Sequence, residues 1–101
     1  MPVNEEEMAK LAMTIAVNQP NGVVTYDDLR REVPKMVVLD AADLALSQVR
    51  NGEPMWHQIF RNIKCHSEVQ GNAIYDGRLT HVRDTGYAIT AHGRAWIAAN
   101  P

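Results

Sequence analysis

The apolar residues of this chain change their spacing once, and the change limits what it can fold into. From Met8 to about Val69 they recur three and four residues apart, the period of helices packed on one face. From Leu79 to Thr90 they alternate instead, as "LTHV" and "YAIT" on either side of "RDTG", where Asp84 and Gly86 supply turn chemistry. That pattern predicts a β-hairpin attached to a helical body. With 101 residues the chain is expected to form a single domain, residues 1 to 101, with one core and little room for a deep substrate cavity.

The helical part divides at local signals. Asn4 caps a first helix, "EEEMAKLAMTIAVNQ", with three glutamates in its first turn and Met8, Leu11, Ala12 and Ile15 at helical spacing. "QPNG" stops it, and "VVT" follows as a short edge strand. Thr25 with Asp28 three residues on reads as the capping box of a second helix, which offers Tyr26 and Leu29 to the core and is predicted to end at Pro34. Asp40 caps a short helix through Leu46, and "RNGEP" is a loop. Pro54 opens a longer helix over residues 55 to 68, with Trp56, Ile59, Phe60 and Ile63 as its inward stripe. Thr90 caps a last helix whose inward residues are expected to be Ala95, Trp96 and Ala99. The order predicts an α+β fold of the winged helix-turn-helix type, mostly helical, with a small antiparallel sheet completed by "VVT" and a C-terminal helix.

Composition narrows the functional classes. There is no run of apolar residues long enough for a membrane span, and the acidic N-terminus is unlike a signal peptide. A single cysteine forms no internal disulfide and fits a reducing cytoplasm. The net charge of −2 is unevenly spread. Residues 1 to 53 carry nine acids against five bases, a balance of −4, and residues 54 to 101 carry three acids, five bases and all four histidines, a balance of +2. That permits a basic face in the second half.

The stretch "EPMWHQIFRNIKCHSEVQ" concentrates the polar chemistry. On a helix, His57, Arg61, Lys64 and Glu68 line one face, with Gln58, Asn62 and Cys65 beside them. Arginine can grip guanine edges, lysine can neutralise phosphate, and glutamine can read adenine. The plain alternative is a solvated helix face. The hairpin adds Arg78, His81 and Arg83, with Arg83 at its tip to reach phosphate or the minor groove, or simply to be solvated. Arg30 and Arg31 are weaker candidates for a phosphate clamp because Asp27, Asp28 and Glu32 surround them, and Asn62 fits a base or a neighbouring backbone equally. Cys65 and His66 are adjacent and so diverge on a helix, and they lack metal-ligand spacing, so no metal or cofactor is expected. Trp56 and Trp96 read as core anchors.

The segments "PMWHQIFRNIKCH", "GRLTHV" and "GYAITAHGRAWI" resemble the winged-helix domains that accompany Mrr-type and related restriction endonucleases, over roughly residues 25 to 98. Such relatives are usually fused to a nuclease or HNH domain. Neither an Asp…Glu-x-Lys core nor an HNH metal motif occurs here. The resemblance implies a non-enzymatic, cytoplasmic or nucleoid-associated module for double-stranded DNA. Its third main helix would enter the major groove through His57, Gln58, Arg61 and Lys64, and its wing would hold the backbone through Arg78 and Arg83. A homodimer through Met8, Met13 and Ile15 of the first helix would enlarge a small interface, or the same apolar face completes the core. The alternative is a winged-helix protein-interaction module, which the acidic first half would suit.

Overall fold

The computed structural model describes residues 3–47 and 52–101. Helix α1 (Glu5–Val17) starts where the Asn4 side chain accepts the Glu7 N–H at 2.8 Å. Its three first-turn glutamates suit the positive end of the helix. Met8, Ala9, Ala12, Met13, Ile15 and Ala16 are all buried, and α1 touches α2, α4, α5 and two of the strands. This corrects the dimer expectation. A helix packed on so many sides spends Met8, Met13 and Ile15 in its own core, so they offer no face to a second copy.

Strand β1 (Val23–Thr25) pairs antiparallel with β3 (Gly86–Ile89), and β3 pairs with β2 (Leu79–Val82), giving the order β1-β3-β2. The "VVT" segment thus completes the hairpin's sheet, with Val24 opposite Tyr87 and His81 opposite Tyr87. Gly86 is required at the turn exit, because a Cβ there would lie 2.1 Å from the Val24 carbonyl oxygen. Alternation places His81 on the face of buried Leu79, at the open end of the sheet.

Helix α2 (Tyr26–Met36) follows β1 directly through the Thr25–Asp28 capping box. It does not end at Pro34. The proline falls in the last turn, where its missing N–H costs one bond, and the Val37 N–H still reaches the Val33 carbonyl at 3.1 Å. Helix α3 (Ala41–Leu44) has its own Asp40–Asp43 capping box and stops before Leu46, which instead bridges Pro54. Of the expected loop at residues 50–54, Arg50 and Asn51 lie outside the described residues, and Gly52 is in a turn.

Helix α4 (Met55–Cys65) buries Trp56, Phe60 and Ile63, with Ile59 half-buried. It ends three residues before Glu68, which sits exposed in the following turns. Asn72 organises those turns. Its amide donates to the Ile63 carbonyl and to Glu5, and its oxygen accepts the N–H groups of Ile74 and Tyr75. Helix α5 (Ala91–Ala99) is capped by Thr90 as expected, but Ala95 and Ala99 are exposed. Its inward face is Gly93 with half-buried Trp96 and Ile97. A Cβ on Gly93 would stand 2.1 Å from the Arg78 carbonyl oxygen, so the helix rests on the sheet at its one residue without a side chain. The described residues thus form an α+β fold of five helices and a three-stranded antiparallel sheet.

Candidate nucleic-acid interface

The polar face of α4 meets the hairpin around Tyr26. This tyrosine is the first residue of α2, and its ring stacks on Phe60 at 5.8 Å between centroids and sets its edge against Tyr87 at 5.9 Å. Two cations from α4 lie over the same ring, Arg61 at 5.5 Å and Lys64 at 5.4 Å from its centroid. The Tyr26 hydroxyl lies 3.3 Å from Nε2 of His81 on β2. Three separate elements therefore bring Lys64, Arg61 and His81 together.

The cations differ in what they have left to offer. Arg61 donates to Glu53 at 2.7 Å and its side chain is only 17% exposed. Its Nε is buried and meets no hydrogen-bond partner among the described residues. Lys64 is half-buried along its stem, and its ammonium has no ion-pair partner among the described residues. Arg83 stands at the hairpin tip, 93% exposed and 3.9 Å from Asp84. Asp84 occupies the left-handed region with φ of 57°, which an aspartate tolerates in a turn. Arg30 and Arg31 are each ion-paired within α2, to Asp27 and Asp28 respectively, which blunts the expected clamp.

His57 and Gln58 are partly committed to the fold. The His57 ring packs 4.3 Å from Trp56 and 5.4 Å from Phe60. Burial draws its pKa below the usual histidine range, opposed by Glu53 and assisted by Arg30 and Arg61. Gln58 accepts the Ser47 hydroxyl at 2.9 Å, which fixes its amide plane and leaves its NH₂ pointing the other way. His81 is likewise held below the usual range, first by burial and then by Lys64.

Arg78 does not join this surface. It is 3% exposed, bonded to Glu6 at 3.0 Å, Asp76 at 3.3 Å and the Gly71 carbonyl at 3.2 Å, and stacked on Trp96 at 4.6 Å. Its guanidinium ties the first helix to the last one, which assigns it a structural task in place of the expected backbone contact. Trp56 is a core residue, as expected, and Trp96 a half-buried one. Cys65 is exposed at the end of α4, while the neighbouring His66 bonds Glu5 at 2.6 Å. Among the described residues no three His, Cys, Asp or Glu side chains gather as a metal site, and no helix is long and apolar enough to cross a membrane.

The concavity beside this surface is a shallow, open cleft of about 350 Å³ between the start of α2 and the hairpin tip, lined by Thr25, Tyr26, Asp27, Arg30, Asp84 and Thr85. It suits a surface contact better than enclosure of a small molecule. The residue the sequence undervalued is Tyr26, which reads as an ordinary core aromatic. Its position directly after a capping threonine was the available signal, because a residue there joins the strand end to the helix start. No protein-family model, curated protein or solved structure matches the chain.

Proposed function

We propose that this chain is a winged-helix module that binds double-stranded DNA, with α4 directed at the major groove and the β2–β3 hairpin beside the sugar-phosphate backbone. The element order and the sheet order β1-β3-β2, with the hairpin directly after the helix-rich body, support that arrangement. The observation that carries the reading is the convergence of Lys64, Arg61 and His81 on Tyr26. It makes the polar face of α4 continuous with a hairpin that ends in exposed Arg83. Lys64 and Arg83 supply phosphate neutralisation, and Gln58 and Arg61 supply groups able to read base edges. His57, half-buried and held neutral, contributes at the rim as a hydrogen-bonding group. Arg78 acts from inside the fold.

Because few cations are available, binding is weak and its salt dependence modest. The test is titration of a short mixed-sequence duplex by fluorescence anisotropy from low to moderate salt, with the Arg61→Ala, Lys64→Ala double variant alongside. Salt-sensitive binding that the double variant loses supports the reading. Equal binding by both proteins, or none by the wild type at low salt, refutes it.

A protein-interaction module is the second reading, and one observation favours it. Met36, Val38, Leu44 and Leu46 are large apolar side chains exposed within one segment, with Val38 95% exposed. Failure of the duplex titration would move the assignment there.

A further inference from the structure

Given that DNA-binding reading, on which this rests, we infer that Tyr26 is the positioning residue of the interface, holding the cations of α4 and the hairpin in one register. Four contacts make it so. The Thr25–Asp28 capping box fixes the backbone at the start of α2, and the Tyr26 N–H donates to the Thr85 carbonyl in the hairpin turn at 2.9 Å. The tyrosine backbone therefore moves only with the hairpin. Its ring is stacked on Phe60, a fully buried residue of α4, so it moves only with that helix as well. Its face carries Arg61 and Lys64, and its hydroxyl meets His81.

The physical gain is preorganisation. A lysine on an open helix face samples many rotamers, and ordering it on a phosphate costs side-chain entropy. Resting the ammonium over a tyrosine ring narrows that ensemble before DNA arrives, through cation–π attraction. The same ring lies under Arg61, whose guanidinium also pairs with Glu53 at 2.7 Å. Tyr26 itself need not touch DNA. It sets where two cations stand and how far the hairpin lies from them.

The measurement is the slope of log affinity against log salt, compared for the wild type, Tyr26→Leu, Tyr26→Phe and a Thr90→Ala control that weakens the α5 cap far from this surface. Each ordered phosphate contact adds about 0.9 to the slope and close to tenfold in affinity near 0.1 M salt. Tyr26→Leu is expected to remain helical by far-UV circular dichroism, to lower the slope by about one to two, and to weaken binding correspondingly. Thr90→Ala lowers the melting temperature and leaves the slope unchanged. Tyr26→Phe keeps the ring and so keeps the slope, while losing part of the affinity. That loss is expected to vanish on a His81→Leu background, where the hydroxyl loses this partner.

A folded Tyr26→Leu protein with the wild-type slope overturns the inference. If Tyr26→Leu does not fold, the Tyr26→Phe and His81→Leu cycle decides. Coupling close to the whole single-variant effect supports the inference, and additive effects overturn it. Wild-type protein without salt-sensitive duplex binding fails before any variant is compared, and it rejects the DNA reading together with the inference.

Discussion

Arg78 is a buried cation whose partners are not buried, and the asymmetry makes a quantitative prediction. The arginine is 3% exposed, whereas the side chains of Glu6 and Asp76 are 56% and 36% exposed. Removing Arg78 leaves two carboxylates that water can solvate. Neutralising the carboxylates strands a guanidinium that water barely reaches. At separations of 3.0 and 3.3 Å, the pairs have Coulomb energies of about 5–5.5 kcal/mol at an effective dielectric constant near 20. The exposure of both carboxylates reduces this to about 0.5–1 kcal/mol per pair. The Glu6→Gln, Asp76→Asn variant should therefore lose about 1–2 kcal/mol, or about 4–16 °C in melting temperature for a domain this small. Arg78→Met keeps apolar volume against Trp96 and gives up the cation–π contact and the Gly71 carbonyl bond, about 1–2 kcal/mol. Thermal and urea unfolding followed by tryptophan fluorescence would measure both. The double neutralisation should be at least as damaging as Arg78→Met. If it lies within about 0.5 kcal/mol of wild type while Arg78→Met falls further, water reaches the guanidinium and the burial argument is refuted.

Two more predictions concern packing and protonation. Gly93→Ala places a methyl 2.1 Å from the Arg78 carbonyl oxygen, a backbone atom that cannot rotate away. It should cost about 2–3 kcal/mol in urea unfolding, and an unchanged midpoint would mean that α5 does not rest on the sheet there. His57 and His81 are both held below the ordinary value of 6.5, largely by burial. The unfolded chain then binds more protons than the folded one below that pH, so stability is full above about 6.5 and declines as pH falls towards the depressed folded values. Urea midpoints at pH 7.5 and pH 5.5 would read the decline, and His57→Gln should flatten part of it. A midpoint that rises on acidification over this window would reverse the assigned sign. Asp28, lowered chiefly by its backbone bond at Thr25, titrates below 3.8 and stays out of this window.

What could be read from the sequence followed the distance over which each contact acts. The Thr25–Asp28 capping box spans three residues, and the hairpin spans Leu79 to Ile89, so both were visible as local patterns. The α4 stripe of Trp56, Phe60 and Ile63 was visible for the same reason. Arg78 was not, because its ion-pair partner Glu6 is 72 positions away and a lone arginine on a wing reads as solvent-facing. Nor was the fate of Ala95 and Ala99. Helical spacing identifies a face, but only the close approach at Gly93 decides how α5 is rotated on the sheet. The two readings of the first helix's apolar face could not be separated for the same reason. A stripe of Met8, Met13 and Ile15 has the same spacing whether it meets a second chain or the core of its own, and here α1 is packed against helices and sheet together.

The net charge of −2 looks unfavourable for a DNA-binding protein until the acids are located. Of the twelve, seven belong to helix starts: Glu5, Glu6 and Glu7 on α1, Asp27 and Asp28 on α2, and Asp40 and Asp43 on α3. There they meet exposed backbone N–H groups and the positive end of a helix, which stabilises their charge locally. Several are further engaged by side chains away from Lys64, with Glu5 bonded to His66 and Glu6 to Arg78. Exposed Asp27 lines the adjoining cleft paired with Arg30, and the acids beside the proposed contacts are Glu53, which holds Arg61, and Asp84 beside Arg83. Each of the latter pair is adjacent to a cation that would contact DNA, so each lowers affinity as its neighbour raises it. Glu53 therefore acts as a competitor for Arg61 that phosphate or a base edge has to displace. An interface built this way favours selective contact over indiscriminate binding to any polyanion, because a cation must be drawn from a carboxylate before it is available.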